Sequence, residues 1–233
     1  MTSITYVKRR SQIEDYFDRT AVETWSRLTS DAPVNCIRAT VRAGRDTMRR
    51  TLLDWLPADL TGCRLLDAGC GTGALAVEAA RRGGDVVAVD LSPTLIDLAR
   101  SRSAGGFGHG RITFSSNDML ASKLGDFDYV VAMDSLIHYS SEDIADAIIG
   151  LSSRTRRSML FTFAPRTLAL AAMHFVGRLF PHANRAPAIQ PIAEREMVRL
   201  IVNQPGLLQW RVSQVRRVKN GFYISQAVEL RRR

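Results

Sequence analysis

The segment Leu66-Asp67-Ala68-Gly69-Cys70-Gly71-Thr72-Gly73 constrains this chain more than any other. Glycines in alternate positions let a backbone turn tightly and come close to a ligand, because no side chain stands in the way. Cys63–Ala68 reads as a short buried strand, and Ala74–Arg82 as a helix of small residues stopped by Gly83-Gly84. A strand bending through glycines into a helix opens a β-α-β unit, and the rhythm continues. Asp85–Asp90 is a Val-rich second strand, and Ser92 caps a helix with Pro93 at its first position that runs to Ser103. Arg111–Ser116, Phe127–Met133 and Ser158–Phe163 read as further strands, with the helix Ser141–Ser152 before the last. Apolar strands alternating with helices predict an α/β fold with a parallel sheet covered on both faces.

The flanks break this rhythm. Residues 8–55 read as helical, with Ile13, Tyr16, Phe17, Val22 and Trp25, then Val41, Met48, Leu52 and Trp55, at helical spacing and with breaks expected at Pro33 and Gly44. Residues 164–192 form an insertion: an apolar helix Thr167–Phe180, then a loop through Pro181, Pro187 and Pro191. After a helix Glu194–Asn203, Leu207–Val218 and Phe222–Leu230 read as a hairpin turning at Asn220-Gly221, so one strand of the sheet is reversed.

Composition narrows the class. The chain has 233 residues, 45% hydrophobic and 24% charged, enough for one α/β core. No apolar run reaches the ~18–20 residues of a membrane span, and the first ten residues lack the apolar core of a signal peptide; a cytoplasmic protein is expected. Cys36, Cys63 and Cys70 are odd in number with no C-x-x-C pair, and His109, His138, His174 and His182 show no ligand spacing, so no protein-bound metal is expected. A net charge of +9 fits a solvated basic surface, an acidic substrate, an anionic membrane surface or nucleic acid. No nucleic-acid module is visible, and the one dense basic cluster is Arg231-Arg232-Arg233.

Asp90 ends the second strand at about the ~20-residue offset where an acid meets a ribose in Rossmann-type sites. Three details point away from a dinucleotide. The glycines are spaced G-x-G-x-G, and Asp67 precedes them; a carboxylate there repels a pyrophosphate but suits an ammonium group. Asn117-Asp118-Met119 follows the third strand, where an acid can bond an adenine amino group with Met119 beside the ring. A ligand-free turn for the glycines, and a cap role for Asp118, remain open on these residues alone.

Leu66–Gly73 resembles motif I, and Val89-Asp90-Leu91-Ser92 motif II, of class I S-adenosylmethionine-dependent methyltransferases. Asp15-Tyr16-Phe17-Asp18-Arg19-Thr20-Ala21, Val41-Arg42-Ala43-Gly44-Arg45, Asp134-Ser135-Leu136-Ile137-His138-Tyr139 and Gly221-Phe222-Tyr223-Ile224-Ser225 further resemble the magnesium-protoporphyrin IX O-methyltransferases of chlorophyll and bacteriochlorophyll synthesis. The resemblance implies a Rossmann-like class I fold, with a seven-stranded, mostly parallel sheet having one reversed strand. The residue pattern itself predicts a helical lid over 1–56 and a core over 57–233 carrying a cap insertion at 164–192. The resemblance implies S-adenosyl-L-methionine as cofactor, S-adenosyl-L-homocysteine as product, and methylation of one propionate of magnesium protoporphyrin IX, with the magnesium arriving in the substrate.

On this reading Asp67, Gly69, Cys70, Gly71, Asp90, Leu91, Asp118, Met119, Asp134 and Arg42 hold the cofactor, and Tyr16 and His138 are the catalytic pair. A propionate titrating near ~4 is already ionised, so no strong base is needed. Positioning is the task, and it can be worth ~7–11 kcal/mol. The insertion, with Phe175, Leu179 and Phe180 beside Arg166, Arg178 and Arg185, is expected to cap a flat macrocycle and to touch a membrane peripherally. Magnesium chelatase is the implied partner. The alternatives are another small acceptor such as a quinone precursor, an RNA substrate, and a non-enzymatic cofactor-binding module.

Overall fold

The structure is a computed structural model that describes residues 3–20, 26, 28–30, 35–103, 105–166 and 188–233. Its helices are α1 (Ile4–Asp15), α2 (Cys36–Trp55), α3 (Ala74–Arg81), α4 (Pro93–Arg102), α5 (Ser141–Ser152) and α6 (Glu194–Val202). Its strands are β1 (Arg64–Ala68), β2 (Asp85–Asp90), β3 (Arg111–Ser116), β4 (Phe127–Ala132), β5 (Thr155–Phe163), β6 (Trp210–Asn220) and β7 (Tyr223–Arg232). They form a seven-stranded sheet in the order β3-β2-β1-β4-β5-β7-β6. β1 to β5 pair in parallel, and β7 runs antiparallel between β5 and β6.

Side chains alternate across each strand, so the two faces bury separate sets. One face packs Leu66, Val130, Met159 and Phe161 against Ile144, Ile148 and Leu151 of α5. The other packs Leu65, Val131 and Leu160 against Met48 and Leu52 of α2 and Ala76 and Ala79 of α3. The expected 1–56 lid therefore divides in role: α2 is a wall of the core, while α1 lies beside the strand ends. Helix starts follow from side chains that satisfy the first N–H groups. Ser92 accepts from Leu95 N at 3.2 Å ahead of Pro93, and Ser140 accepts from Asp143 N at 3.1 Å.

Gly44 is not a break. It is buried within α2, where a Cβ would meet Cδ1, Cβ and Cγ of Tyr223 at 2.5, 2.6 and 2.7 Å. Glycine stands there for close approach to β7, which sequence alone cannot separate from a helix stop. The hairpin turn lies one residue later than expected. Asn220 pairs with Tyr223, and Gly221 takes a positive φ of 53°, the first central position of a tight turn. β5 begins at Thr155, ahead of the expected Ser158. The insertion has a pinched neck: Ile192 N donates to Ala164 O and Arg166 N to Ile192 O, both at 2.9 Å, around a Pro165–Ile192 bridge. The expected helix Thr167–Phe180 and the expectations for Val22, Trp25 and Pro33 lie outside the described residues.

Gly44→Ala gains about 1 kcal/mol of helix propensity but meets the root of a buried ring, an overpacking cost of about 1–3 kcal/mol. The expected net result is a lower urea midpoint, with an unchanged or higher midpoint counting against this packing role.

Candidate functional site

In an open α/β sheet, ligands sit beyond the carboxyl ends of the strands where the strand order reverses. Here that point lies between β1 and β4, and the glycine segment and the turn 134–140 follow those two strands. A cavity of about 420 Å³ opens there. Tyr16, Gly69, Gly71, Asp90, Leu91, Asp118, Met119, Asp134 and His138 line it. Asp67, Cys70 and Arg42 line a smaller one of about 200 Å³, which shares Leu28, Arg45, Gly69, Gly71 and Met133 with the first.

The glycine bend is held from β2. Gly69 N and Cys70 N both donate to Val89 O, at 2.8 and 2.9 Å. Asp90 accepts from Gly71 N at 2.9 Å and from Ser92 N at 3.1 Å. Gly69, Gly71 and Gly73 all have positive φ, and a Cβ at Gly69 would collide with Ser135. Glycine is thus required by the turn and by the closeness of the β4 loop. The Asp67 side chain is 2% exposed, and its Oδ2 has no hydrogen-bond partner. Burial, then the neighbouring Asp90, raises its carboxyl to about 7. A buried carboxylate oxygen with no hydrogen-bond partner beside a glycine cradle is the arrangement a cationic ligand would satisfy. Burial also raises the Cys70 thiol well above its ordinary value, so Cys70 contributes shape rather than a nucleophile.

Asp118 is already engaged. It accepts from Tyr6 Oη at 2.9 Å, Leu120 N at 2.8 Å and Arg10 Nη1 at 2.8 Å. A ligand amino group there would share the carboxylate with α1. Tyr6 also stacks on Tyr139 at 4.8 Å, and Ser3 and Thr5 donate to Asp143. The turn Tyr16–Thr20 is tied down as Asp18 accepts from Ser92 Oγ at 3.0 Å and Thr94 Oγ1 at 2.7 Å. Tyr16 is half-buried, meets Phe17 edge-on at 5.1 Å, and has its phenol raised by burial. His138 is 7% exposed, with its ring 6.2 Å from that of Phe17. The structure thus places Tyr16 and His138 on one cavity, joined through Phe17.

Asp134 spends its carboxylate on the protein. It accepts from Arg45 Nη1 at 2.6 Å, Tyr223 Oη at 3.0 Å, Ser225 Oγ at 3.2 Å and Thr162 Oγ1 at 3.1 Å. Burial and the Asp134 charge push the Tyr223 phenol up. Arg42 donates from Nε to Leu28 O at 3.0 Å. The reading of single residues missed Tyr6, Arg10, Arg45, Tyr223 and Ser225. The last three stood inside segments already singled out, but α1 carried no signal for its contact with Asp118.

Residues 132–232 match the profile of the magnesium-protoporphyrin IX methyltransferase C-terminus, and residues 65–157 that of a methyltransferase domain. A magnesium-protoporphyrin O-methyltransferase from Rhodobacter capsulatus is 48% identical over 97% of this chain and 98% of its own length. This chain belongs to the magnesium-protoporphyrin O-methyltransferase family. A second member, from Synechocystis, is 30% identical over 93% of this chain and 94% of its own. The crystal structure of the Synechocystis methyltransferase with bound SAH superposes with a TM-score of 0.83 at 29% identity, covering 96% of this chain and all of that one. The shared fold is the class I methyltransferase sheet with its reversed strand.

The Asp67 carboxyl is raised on folding, so its stability contribution is present below the unfolded value and lost as pH rises from about 4 to about 7. Asp67→Asn is expected to match the parent's stability near pH 4 and to exceed it by about 2–4 kcal/mol above pH 7. Denaturant melts across that range, if parallel for the two proteins, would refute the buried-acid assignment.

Proposed function

We propose that this family member transfers a methyl group from S-adenosyl-L-methionine to a propionate carboxylate of magnesium protoporphyrin IX, giving a monomethyl ester and S-adenosyl-L-homocysteine. The observation that carries the reading is the meeting of Tyr16 and His138 with the glycine bend on one cavity at the strand-order reversal. Membership of the family along nearly the whole chain supports the acceptor.

The cofactor, when bound, supplies an electrophilic methyl carbon on a positive sulfur: an oxygen–methyl bond forms as the sulfur–methyl bond breaks, and the two charges cancel without a proton. The chain's residues bind and aim. Gly69 and Gly71 let the backbone approach, and Asp67 and Asp90 offer negative charge to the ammonium and the ribose hydroxyls. Asp118 and Met119 flank the adenine, with Cys70, Leu91 and Asp134 completing the wall and Arg42 turned to the cofactor's carboxylate. Tyr16 and His138 orient the acceptor oxygen and exclude water, and His138 takes up a proton if the acid form enters. Magnesium is part of the acceptor.

The insertion 164–192 caps the macrocycle in this proposal, and its aromatic and basic residues serve peripheral membrane contact. No helix among the described residues is long and apolar enough to cross a membrane. The enzyme works in the cytoplasm and receives its acceptor from magnesium chelatase, because an insoluble metalloporphyrin favours hand-over between proteins.

His138→Ala and Tyr16→Phe are each expected to lower kcat for ester formation roughly 10²-fold through lost positioning, with S-adenosylhomocysteine affinity by calorimetry unchanged. Full turnover in both variants would remove the pair from the mechanism.

A further inference from the structure

We infer that Arg45 recognises the acceptor's carboxylate and makes the site prefer an acid to its ester, an inference that rests on the methyl-transfer reading above. Among the described residues, the larger cavity is lined by one arginine, Arg45, and no lysine. Three carboxylates share that wall: Asp90, Asp118 and Asp134. A further anion entering such a wall is repelled unless a cation meets it. His138 carries charge only when protonated, whereas a guanidinium is always charged.

Arg45 also stands at the right place. It lines both cavities, so it lies at the junction between the compartment of Asp67 and Arg42 and the compartment of Tyr16 and His138. Methyl transfer requires the acceptor oxygen at that junction. Arg42, by contrast, lines the smaller cavity alone of the two. The Arg45 guanidinium is oriented by Asp134 at 2.6 Å, and the two side chains are 19% and 5% exposed. A guanidinium presents five N–H donors in a rigid plane, and Asp134 engages one of its nitrogens, Nη1, at the wall of the cavity that Arg45 lines. Gly44 seats α2 directly on Tyr223, the residue that also binds Asp134. The cation is therefore held by α2, β7 and the β4 loop together. Esterification removes the acceptor's charge, so the same contact grips the substrate and loosens on the product.

The test is a Soret-band titration of the purified protein with magnesium protoporphyrin and with its dimethyl ester, which lacks the propionate charges. Calorimetry with S-adenosylhomocysteine runs in parallel. The parent is expected to favour the free acid by about tenfold or more, in line with a charge-assisted bond. Arg45→Gln is expected to erase that preference by weakening the acid alone, with S-adenosylhomocysteine affinity within twofold of the parent. Arg45→Lys, which keeps the charge, is expected to retain a reduced preference, and it serves if Arg45→Gln does not fold. Equal weakening of acid and ester would show a merely structural role and overturn the inference. Lost S-adenosylhomocysteine affinity with the acid preference intact would reassign Arg45 to the cofactor and overturn it too. A parent that binds neither porphyrin overturns this inference and the acceptor reading together, whereas a parent that binds both equally overturns this inference alone.

Discussion

Much of the molecule's working end hangs on one buried carboxylate. Asp134 accepts from α2 through Arg45, from β5 through Thr162 and from β7 through Tyr223 and Ser225. It does so from a left-handed backbone, φ 54°, that a residue with a side chain adopts at a cost of order 1–3 kcal/mol. Such strain persists only where surrounding bonds over-determine it. The return is a fixed loop after β4, and from that loop Ser135 abuts Gly69 and His138 lines the cavity that Tyr16 also lines. Removing the Asp134 carboxylate would take away the acceptor that all four donors share.

A second electrostatic arrangement works the opposite way. Asp90 is offset by backbone N–H donors, and the bend it braces is rigid. Asp67, a strand away, has an oxygen with no such donor. The fold therefore holds one satisfied acid as architecture and one unsatisfied acid as latent attraction for positive charge. Differential binding gains from such preorganisation, because the unfavourable state is already present before the ligand arrives.

The strand–helix alternation was legible because its signals are local. Apolar runs, caps and glycine breaks gave β2, β3 and α5 to the residue, and the other core strands and helices to within a few positions. What escaped depended on contacts between distant segments. Gly44 looks like a stop until Tyr223 is seen above it. Asp134 reads as a cofactor contact, and it lines the cavity, but its four protein partners leave no mark in the local sequence. Both helix arginines reach a cavity, and nothing in their spacing says that Arg45 lines both compartments while Arg42 lines one. Tyr6 and Arg10 carried no mark at all, because their meaning is a bond to Asp118 more than a hundred positions away.

The pinched neck at Ala164, Arg166 and Ile192 has an evolutionary consequence. Two backbone bonds join the chain just after β5 to the chain just before α6, so Ala164, Arg166 and Ile192 lie side by side. Whatever stands beyond such a gate can change length or composition without shifting β5 or α6, since excursions that begin and end together disturb little between.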